Sequence, residues 1–321
     1  MRKVGVLTSG GDAPGMNAAL RAVVRSGVAA GVQVVGIERG FQGLMAGSLR
    51  PMDAGSVSNI INRGGTILRS ARSEEFKTAA GQARAAQVIE REAIDGLVLI
   101  GGDGTYRGGL AINSTCGVRV VGIPGTIDND IPGTRYTIGF DTAINTAMDA
   151  IDRVRDTSAS HDRVFVVEVM GRHNGFIAME VGLAAGAEAV IIPECPCDMI
   201  GLCEEVMAWN ARGKMSCIII VAEGAASAAD VATAITQVTR IETRLTVLGH
   251  IQRGGSPSAR DRALATRFGH HAVQLLREGA TNVMVGVQEG SEVVASPLEQ
   301  VLEGRRDLNL SLFDVVRVMA T

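Results

Sequence analysis

The chain has 321 residues, of which 46% are hydrophobic, 20% are charged and only 3% are aromatic. A chain of this length exceeds the usual size of one domain, so we expect two packed units that share a cleft. The net charge of -3 and the isoelectric point near 6.0 exclude a general attraction to nucleic acid or anionic lipid. No apolar stretch reaches the length of a membrane span, and the first apolar run is too short for a signal peptide. Any anionic ligand must therefore be held by local groups.

In chain order, short β-branched runs alternate with longer segments whose apolar residues recur at three- and four-residue steps, as on one face of a helix. The predicted elements are strand 3–7, helix 16–29, strand 32–37, helix 81–93, strands 96–100 and 118–123, helix 138–157, strands 164–169 and 189–192, helix 199–212, strands 216–221 and 242–248, and helix 261–277. This alternation predicts an α/β fold with parallel sheets. Ligands of such folds bind beyond the carboxyl ends of the strands.

The cysteines are odd in number, in a chain large enough to need no disulfides. They stand at positions 116, 195, 197, 203 and 217 and predict a cytoplasmic protein with free thiols. Cys195, Cys197 and Cys203 are close in sequence, but no histidine lies nearby and their spacing matches no common zinc pattern. We therefore expect no metal site there.

The first glycine-rich segment, 8–17, follows the first predicted strand. Gly10, Gly11 and Gly15 permit a tight turn and bring backbone amides close to a ligand. The helix that follows favours an anion, such as a nucleotide phosphate, at its N-terminus. A turn without a ligand would use the same glycines, so this segment alone leaves both interpretations open.

The second glycine-rich segment, 101–105, has Asp103 between glycines directly after a strand. Its carboxylate would be a hard oxygen ligand for Mg²⁺, while neighbouring amides hold the phosphates that the ion bridges. An aspartate that caps a helix is the structural alternative. The segment has neither the Lys-Ser/Thr pair of the Walker motif nor the spacing of the dinucleotide-binding motif.

The third segment, 124–130, carries Asp128 and Asp130, whose carboxylates would point the same way from an extended loop. Phosphoryl transfer to an alcohol needs a carboxylate near the attacking oxygen, a divalent ion, and cations around the transferred group. Asp128 meets the first need in this hypothesis and Asp103 the second. A turn capped by its own Asp and Asn side chains is the alternative.

Cations for the transferred group are available in two further segments that follow strands, one with Arg172 and one with His250 and Arg253. Arginine forms paired hydrogen bonds with phosphate, and the neighbouring glycines allow a close approach. Glu223 follows another predicted strand. Each residue alone is most simply a surface charge, but their joint position at the carboxyl ends of strands favours a site.

These segments together resemble the bacterial ATP-dependent 6-phosphofructokinases. The similarity is carried by residues 10–17, 101–105, 124–130, 170–172 and 249–255, whose order and spacing agree with the family. It extends from Lys3 to about Gly286 and weakens beyond. It implies a two-lobed, three-layer α/β fold with parallel sheets, and an allosteric kinase of glycolysis.

The resemblance implies roles for the nucleotide and catalytic residues. ATP, the co-substrate, would contact Gly11, Arg72, Gly102, Asp103, Gly104 and Thr105, and Asp103 would bind Mg²⁺. Asp128 would be the base that accepts the proton of the sugar hydroxyl, supported by Thr126, Asp130 and Arg172.

The resemblance also implies the residues that hold fructose 6-phosphate. They would be Thr126, Asp128, Met170, Gly171, Arg172, Glu223, His250 and Arg253. Arg163 and Arg244 lie at or near the starts of predicted strands, where the pattern alone assigns no role. By resemblance they would reach the sugar-phosphate site of a neighbouring subunit, so that catalysis needs an oligomer, in this family a homotetramer.

An effector site for ADP and phosphoenolpyruvate would lie between subunits. The resemblance assigns it Arg21, Arg25, Arg155, Glu188, Arg212 and Lys214. The sequence departs from well-known bacterial members here, since Ala54 and Ser216 replace an arginine and a histidine, and Arg212 replaces a lysine. The resemblance therefore matches the catalytic residues more completely than the effector residues.

Gly104 and Gly125 bear on the choice of phosphoryl donor, because pyrophosphate-using relatives typically carry Asp and Lys at these positions. Glycine leaves room for the rest of a nucleotide, so we expect ATP, with a pyrophosphate-dependent phosphofructokinase as the alternative. A lipid or NAD kinase would also use a Gly-Gly-Asp-Gly-Thr loop, but it would give no reason for the motifs around Asp128 and Arg172. A non-catalytic metabolite sensor would not need Asp128.

The family fold supplies the limits of two lobes. A larger lobe for ATP and Mg²⁺ would comprise residues 1–138 with 251–301. A smaller lobe for fructose 6-phosphate would comprise residues 139–250 with 302–321.

Overall fold

The structure is a computed structural model that describes residues 1–158, 163–214, 216–288 and 292–320. The chain divides into two compact units. The first unit is Met1–Thr142 with Arg253–Arg306, and the second unit is Ala143–Gln252 with Asp307–Thr321. The assignment of these parts of the chain to ATP and to the sugar phosphate remains a prediction.

Strands and helices alternate through the described residues. In chain order they are β1 (Lys3–Thr8), α1 (Met16–Ala29), β2 (Gln33–Ile37), α2 (Gly40–Ala46), β3 (Leu49–Met52), α3 (Ala79–Arg91), β4 (Gly96–Gly101), α4 (Asp103–Cys116), β5 (Arg119–Pro124), α5 (Phe140–Ser158), β6 (Val164–Val169), α6 (Phe176–Ala185), β7 (Ala189–Ile191), α7 (Met199–Ala211), β8 (Cys217–Ala222), α8 (Ala228–Thr239), β9 (Thr243–Val247), α9 (Ala259–Glu278), β10 (Val283–Val287), β11 (Val293–Pro297), α10 (Leu298–Glu303) and α11 (Leu312–Met319). The predicted α/β class is confirmed. No helix in the described ranges is both long and apolar enough to cross a membrane.

The first unit contains a seven-stranded sheet in the order β11-β10-β5-β4-β1-β2-β3. Its five inner strands run parallel, whereas β3 and β11 pair antiparallel at the two edges. Every residue of β4 is buried, as expected of a central parallel strand covered on both faces. The register pairs Thr8 with Ile100 and Gly101 with Pro124, so β1, β4 and β5 end at the same edge of the sheet.

The core of the first unit consists mainly of branched aliphatic side chains. It also includes Tyr106, which is fully buried, and the stacked rings of Phe41 and Phe76, whose centroids are 4.2 Å apart. Helices α1 and α9 pack closely at Gly269, where an added Cβ would lie only 2.6 Å from the carbonyl oxygen of Ala19. No real side chain tolerates that distance, so the helix contact requires glycine.

The second unit contains a four-stranded parallel sheet in the order β7-β8-β6-β9. Strand β8 is wholly buried, and a hydrophobic cluster on this sheet gathers Val166, Ile219, Trp209 and Ile235 with their neighbours. Strand β9 is an edge strand, and most of its residues are partly or fully exposed. The sheet thus has one covered centre and one open edge.

All eight predicted strands and all five predicted helices are present, with ends that differ by at most two residues. The predicted parallel sheets are confirmed, and β3 and β11 add antiparallel edge strands to the sheet of the first unit, a pairing that needs only short connections. The sequence pattern missed these two strands, β10, and helices α2, α4, α6, α8, α10 and α11. Helix α6 is apolar around most of its circumference, and six of its ten residues are buried, so it lacks the period that reveals an amphipathic helix.

Candidate active site

Three polar loops leave the sheet of the first unit at the shared end of β1, β4 and β5. The Ser9 N–H donates to the Ile100 carbonyl at 3.0 Å, and the Gly125 N–H donates to the Gly101 carbonyl at 3.0 Å. The Thr105 hydroxyl donates to the Ser9 carbonyl at 3.2 Å. These bonds join the three loops that the sequence singled out, as expected for adjacent parallel strands.

Gly101 is required by the contact between two of these loops. A Cβ added there would lie 2.5 Å from the Ser9 carbonyl oxygen and 2.3 Å from the Thr105 hydroxyl. Gly10 and Gly15 have φ values of 85° and 106°, which favour glycine over residues with a side chain. The tight turns predicted for these segments are therefore present.

Helix α4 presents its N-terminus at this edge. Its N-cap is Gly102, and Asp103 is the first helical residue, with an exposed side chain. The alternative in which Asp103 caps the helix is therefore wrong. The backbone N–H groups of a first helical turn and the helix dipole favour an anion at this end.

The two glycines that bear on the phosphoryl donor have different surroundings. A Cβ added at Gly104 would meet no atom within 4 Å, so a side chain there would enter open space. A Cβ added at Gly125 would lie 3.2 Å from the Met16 methyl and 3.3 Å from an Ile100 methyl. Gly125 therefore has a packing reason of its own, whereas Gly104 has none in the described residues.

Arg253 brings a cation to the first glycine-rich loop. Its Nη1 would be 2.5 Å from a Cβ added at Gly11, and the same atom donates to the Asp12 carbonyl at 3.5 Å. The structure thus brings together Gly11 and Arg253, two residues expected to contact different substrates. A guanidinium beside a glycine loop is suited to a phosphate group.

Asn17 fastens the segment that leads to Arg72. Its side-chain amide donates to the carbonyls of Arg63 and Gly64 at 3.0 and 3.1 Å, and its Oδ1 accepts from the Ile67 N–H at 2.8 Å. The Thr8 hydroxyl donates to the Arg69 carbonyl at 2.8 Å. Asn17 is buried and was assigned no role from the sequence, although it closes the first motif.

The loop after β5 is held by hydrogen bonds of its own. The Asp128 N–H donates to the Thr126 hydroxyl at 3.2 Å, and the Asn129 Oδ1 accepts from the Thr137 N–H at 2.9 Å. Asn129 has a φ of 53°, in the left-handed region that asparagine tolerates. The Asn129 side chain thus bonds to a residue beyond the 124–130 segment, and Asp128 is 4% exposed beside it.

The pKa of the buried Tyr106 phenol is affected by two carboxylates of this site. Burial raises the pKa of Tyr106 well above its ordinary value, and the charges of Asp103 and Asp130 raise it further. The charges of two carboxylates from different loops thus act on the same buried phenol.

The donor set at this edge fits a magnesium ion shared with a substrate. Among the residues that the structure describes, no cluster of three or more His, Cys, Asp or Glu side chains could hold a metal. Mg²⁺ commonly uses one or two carboxylates, waters and substrate phosphates instead of a cage made by the protein. The exposed Asp103 at the start of α4 is suited to that mode.

In the second unit, Glu223 organises the loop after β6. Its Oε1 accepts from the backbone N–H groups of Gly171 and Arg172 at 3.3 and 2.8 Å, and its own N–H donates to the Val169 carbonyl at 2.9 Å. The Met170 N–H donates to the Gln252 Oε1 at 2.7 Å. The structure thus brings together Met170, Gly171, Arg172 and Glu223, and it leaves the Arg172 side chain exposed.

Gln252 was not predicted as a site residue, although it lies between His250 and Arg253 in the sequence. It is fully buried, and its amide reaches the Ala143 carbonyl at 3.4 Å while it accepts from Met170. His250 stands two residues earlier in a 3₁₀ turn and is exposed. A single sequence gives no sign that Gln252 is buried while its neighbour His250 is exposed.

Arg163 and Arg244 lie at the opposite end of the same sheet. The Arg163 Nε is 2.9 Å from a Glu242 carboxylate oxygen, and Arg244 forms an ion pair with the other oxygen. The hydrogen bond from Arg163 lowers the pKa of Glu242 below its usual value. Since β6 has six residues and each residue advances the strand by about 3.3 Å, the length of β6, roughly 20 Å, separates the backbone of Arg163 from the loop that carries Arg172.

The residues expected at an effector site fall in both units. Arg21 and Arg25 lie four residues apart on α1, so they share a helix face. Arg155 donates to the Ala185 carbonyl at 2.6 Å, and Arg212 is the exposed C-cap of α7.

Glu188 and Lys214 are joined in the second unit. The Glu188 Oε1 is 3.1 Å from the Lys214 Nζ, and the Glu188 Oε2 accepts from the Ile218 N–H at 2.5 Å. Lys214 also donates to the Ala320 carbonyl at 2.7 Å. Glu188 is buried, so its charge is neutralised locally by Lys214.

Comparison with known proteins identifies the family. A family model described as phosphofructokinase matches residues 3–276. The chain is 56% identical over 322 residues to the ATP-dependent 6-phosphofructokinase 1 of Thermus thermophilus, and 52% identical over 320 residues to the ATP-dependent 6-phosphofructokinase of Clostridium tetani. Both alignments cover 100% of this chain and 100% of the relative.

Solved structures agree with the fold. Phosphofructokinase from Pichia pastoris in the T-state superposes with a TM-score of 0.88 at 35% identity over 94% of this chain, which spans 35% of the length of that chain. A pyrophosphate-dependent phosphofructokinase from Marinobacter aquaeolei has a TM-score of 0.87 at 21% identity, over 97% of this chain and 86% of that one. The latter likeness shows the fold alone. With a family model that matches most of its length and relatives more than 50% identical over all of it, the chain belongs to the phosphofructokinase family.

Proposed function

We propose that this protein is a kinase of glycolysis that transfers the γ-phosphoryl group of ATP to fructose 6-phosphate, giving fructose 1,6-bisphosphate and ADP. The observation that carries the proposal is full-length identity above 50% to relatives named ATP-dependent 6-phosphofructokinase. The grouping of the glycine loops with Asp103, Asp128 and Asp130 at one sheet edge supports it.

The phosphates of ATP lie along the glycine-rich loops in this proposal. Gly11 and the backbone N–H groups from Gly102 to Thr105 contact them, because the N-terminus of α4 favours an anion there. Arg72 and Arg253 supply positive charge near the same loops. Mg²⁺, when bound at Asp103, neutralises charge on the phosphates.

Asp128 accepts the proton of the attacking sugar hydroxyl. As the hydroxyl oxygen forms its bond to the γ-phosphorus, the bond from that phosphorus to the bridging oxygen breaks and ADP leaves with the electron pair. Thr126 holds the Asp128 backbone through its hydroxyl, and Asp130 supports the base. Arg172 neutralises charge on the transferred group.

Fructose 6-phosphate is held by Met170, Gly171, Arg172, Glu223 and His250 of the second unit, together with Arg253. In the structure Glu223 braces the backbone of the 170–172 loop, so it shapes the sugar site even where it does not touch the sugar. Arg163 and Arg244 lie too far from Arg172 along β6 to serve the same site within one chain. Their role in the sugar-phosphate site therefore requires a neighbouring subunit, and the assembly proposed from the family is a homotetramer.

ATP is proposed as the donor over pyrophosphate. The open space around Gly104 accommodates the part of the nucleotide that pyrophosphate lacks, whereas a side chain at this position would fill it. ADP and phosphoenolpyruvate are the proposed effectors of the site at Arg21, Arg25, Arg155, Glu188, Arg212 and Lys214. The free cysteines among the described residues are in keeping with a cytoplasmic location, which remains a prediction.

A coupled assay with fructose 6-phosphate and Mg²⁺ tests the donor, with ATP in one reaction and pyrophosphate in the other. We expect fructose 1,6-bisphosphate only with ATP. Turnover with pyrophosphate would contradict the assignment of ATP as the donor and favour a pyrophosphate-dependent phosphofructokinase. No product with either donor would favour a lipid or NAD kinase, or a metabolite sensor on the same fold.

A further inference from the structure

The C-terminal part of the first unit, from β10 to Arg306, lies beyond the residues that the family model matches and contains no residue to which a function has been assigned above. It packs against one particular loop, residues 129–135, which begins directly after Asp128 and includes Asp130. The nature of this contact gives the C-terminal part a role in the proposed reaction.

Strand β10 forms one side of the contact. The Arg135 N–H donates to the Val287 carbonyl at 2.7 Å, and the Val287 N–H donates to the Thr134 hydroxyl at 3.1 Å. A Cβ added at Gly286 would lie 2.3 Å from the Gly133 carbonyl oxygen, so the loop lies directly on the strand backbone. These bonds fix the end of the loop at residues 133–135.

Helix α10 forms the apolar side of the contact. Leu298 and Val301 are buried in the same hydrophobic cluster as Ile131. Beyond the helix, a Cβ added at Gly304 would lie 3.2 Å from the Pro132 side chain. The middle of the loop is therefore held by apolar packing, which is independent of any single polar group.

Arg306 connects the two ends of the loop. Its Nη1 donates to the Asn129 carbonyl at 2.9 Å, and its Nη2 donates to the Arg135 carbonyl at 2.6 Å. The guanidinium is a planar group with donors in fixed directions, so one arginine holds two carbonyls at a set separation. The Asn129 carbonyl belongs to the peptide that joins Asn129 to Asp130, and Asp128 is the residue before it.

We propose that Arg306 is a positioning residue that fixes the peptide joining Asn129 to Asp130 and thereby helps to set the direction of the catalytic carboxylate of Asp128. The inference rests on the proposed function, in which Asp128 is the base. Arg306 acts through the backbone and needs no contact with either substrate. Since β10 and α10 hold the rest of the loop, loss of the guanidinium leaves the loop folded but removes the hydrogen bond to the Asn129 carbonyl, one residue after the base.

The test compares Arg306→Ala, Arg306→Lys and a matched control, Arg305→Ala, which removes the same charge from the exposed neighbouring position. Steady-state kinetics are measured with ATP and fructose 6-phosphate, and thermal unfolding is followed for each protein. A displacement of about 1 Å at a catalytic group lowers rates by about 100-fold, so we expect kcat of Arg306→Ala to fall about 10- to 100-fold. KM for both substrates should change by less than about threefold, because the loss is confined to the transition state. Arg306→Lys, which keeps the charge but not the planar fork, should retain an intermediate kcat, and Arg305→Ala should resemble the wild type.

Guanidinium ion at tens of millimolar, compared with potassium chloride at the same ionic strength, distinguishes positioning from general stability. Partial recovery of kcat in Arg306→Ala, with none in Arg305→Ala, supports the proposal. A kcat of Arg306→Ala within about twofold of wild type overturns the proposal. A loss of kcat that guanidinium does not relieve, in a variant whose unfolding temperature is also lowered, overturns it as well. If Arg306→Ala does not fold, the same comparisons are made with Arg306→Lys and Arg306→Gln. An inactive wild type would instead contradict the proposed function.

Discussion

The Glu223 carboxylate accepts a hydrogen bond from the Arg172 backbone N–H at 2.8 Å, although the two residues are far apart in the sequence. The same oxygen accepts from the Gly171 N–H at 3.3 Å. Arg172 has a φ of 60° and Gly171 a φ of 152°, so the carboxylate stabilises a backbone conformation that few residues adopt. Glu223 thus fixes the direction in which Arg172 leaves the sheet.

Glu223→Ala should therefore weaken the binding of fructose 6-phosphate without changing the binding of ATP. Loss of a charge-assisted bond costs about 1.5–3 kcal/mol, so we expect KM for the sugar phosphate to rise at least about tenfold. Glu223→Gln keeps an acceptor oxygen and should show a smaller rise. The measurement is steady-state kinetics with each substrate varied in turn. An unchanged KM in Glu223→Ala would mean that the loop holds its conformation without the carboxylate.

Asp128→Ser should reduce turnover while leaving substrate binding largely intact. A positioned general base contributes about 100- to 10,000-fold, and its effect is expressed in the transition state, so kcat should fall while KM values change little. Isothermal titration with fructose 6-phosphate checks that binding survives. A variant with the wild-type rate would remove Asp128 from the mechanism.

Arg163→Ser should weaken fructose 6-phosphate binding, yet it should complement Asp128→Ser in mixed tetramers. The physical reason is that Arg163 and Arg172 lie at opposite ends of β6, so Arg163 serves a site on another chain. Coexpressed and refolded mixtures of the two variants should regain part of the activity that neither has alone. Each variant mixed with itself is the control, and an absence of any recovery would argue against a shared site.

The stability of the second unit should fall at alkaline pH because of Cys217. Burial, together with the nearby charge of Glu188, raises the pKa of the Cys217 thiol from its ordinary 9.0 to about 11. Between these values the unfolded chain loses the thiol proton while the folded chain keeps it, so the free energy of unfolding decreases as pH rises. The stabilisation from the protonated Cys217 thiol is fully present below the pKa of the unfolded state, 9.0, and is lost as the pH rises through the pKa of the folded state, about 11.

Cys217→Ala tests this dependence directly. Between about pH 8 and about pH 11, the wild type should lose about 2 kcal/mol more of its free energy of unfolding than the variant does. Chemical denaturation at a series of pH values measures the difference. Parallel curves for the two proteins would show that Cys217 ionises alike in the folded and unfolded states.

The sequence predicted the elements whose pattern is strong and the loops whose composition is unusual. Strand β4 is a continuous apolar run, and α1 carries apolar residues at helical steps, so both were located to within a residue or two. The loops at Gly11, Asp103 and Asp128 were expected at one edge because parallel strands end together, and the sheet order β5-β4-β1 joins them.

Contacts between residues far apart in the sequence were not predictable in this way. Nothing in the pattern around Asn17 indicates that its amide holds the segment at residues 63–67, and nothing around Gln252 indicates that it receives the Met170 N–H. Arg306 lies beyond residues 3–276, which the family model matches. Such roles depend on tertiary packing, which one sequence encodes only through the whole fold.

The central claim is that this chain transfers a phosphoryl group from ATP to the sugar phosphate with Asp128 as the base. Phosphorus NMR of a reaction with fructose 6-phosphate, ATP and Mg²⁺ tests it most directly, because it follows donor and product in one sample. We predict that the wild type forms fructose 1,6-bisphosphate and ADP in equal amounts, and that Asp128→Ser forms both at a rate lower by about 100-fold or more. Hydrolysis of ATP without a bisphosphate product, or equal rates in the two proteins, would contradict the account.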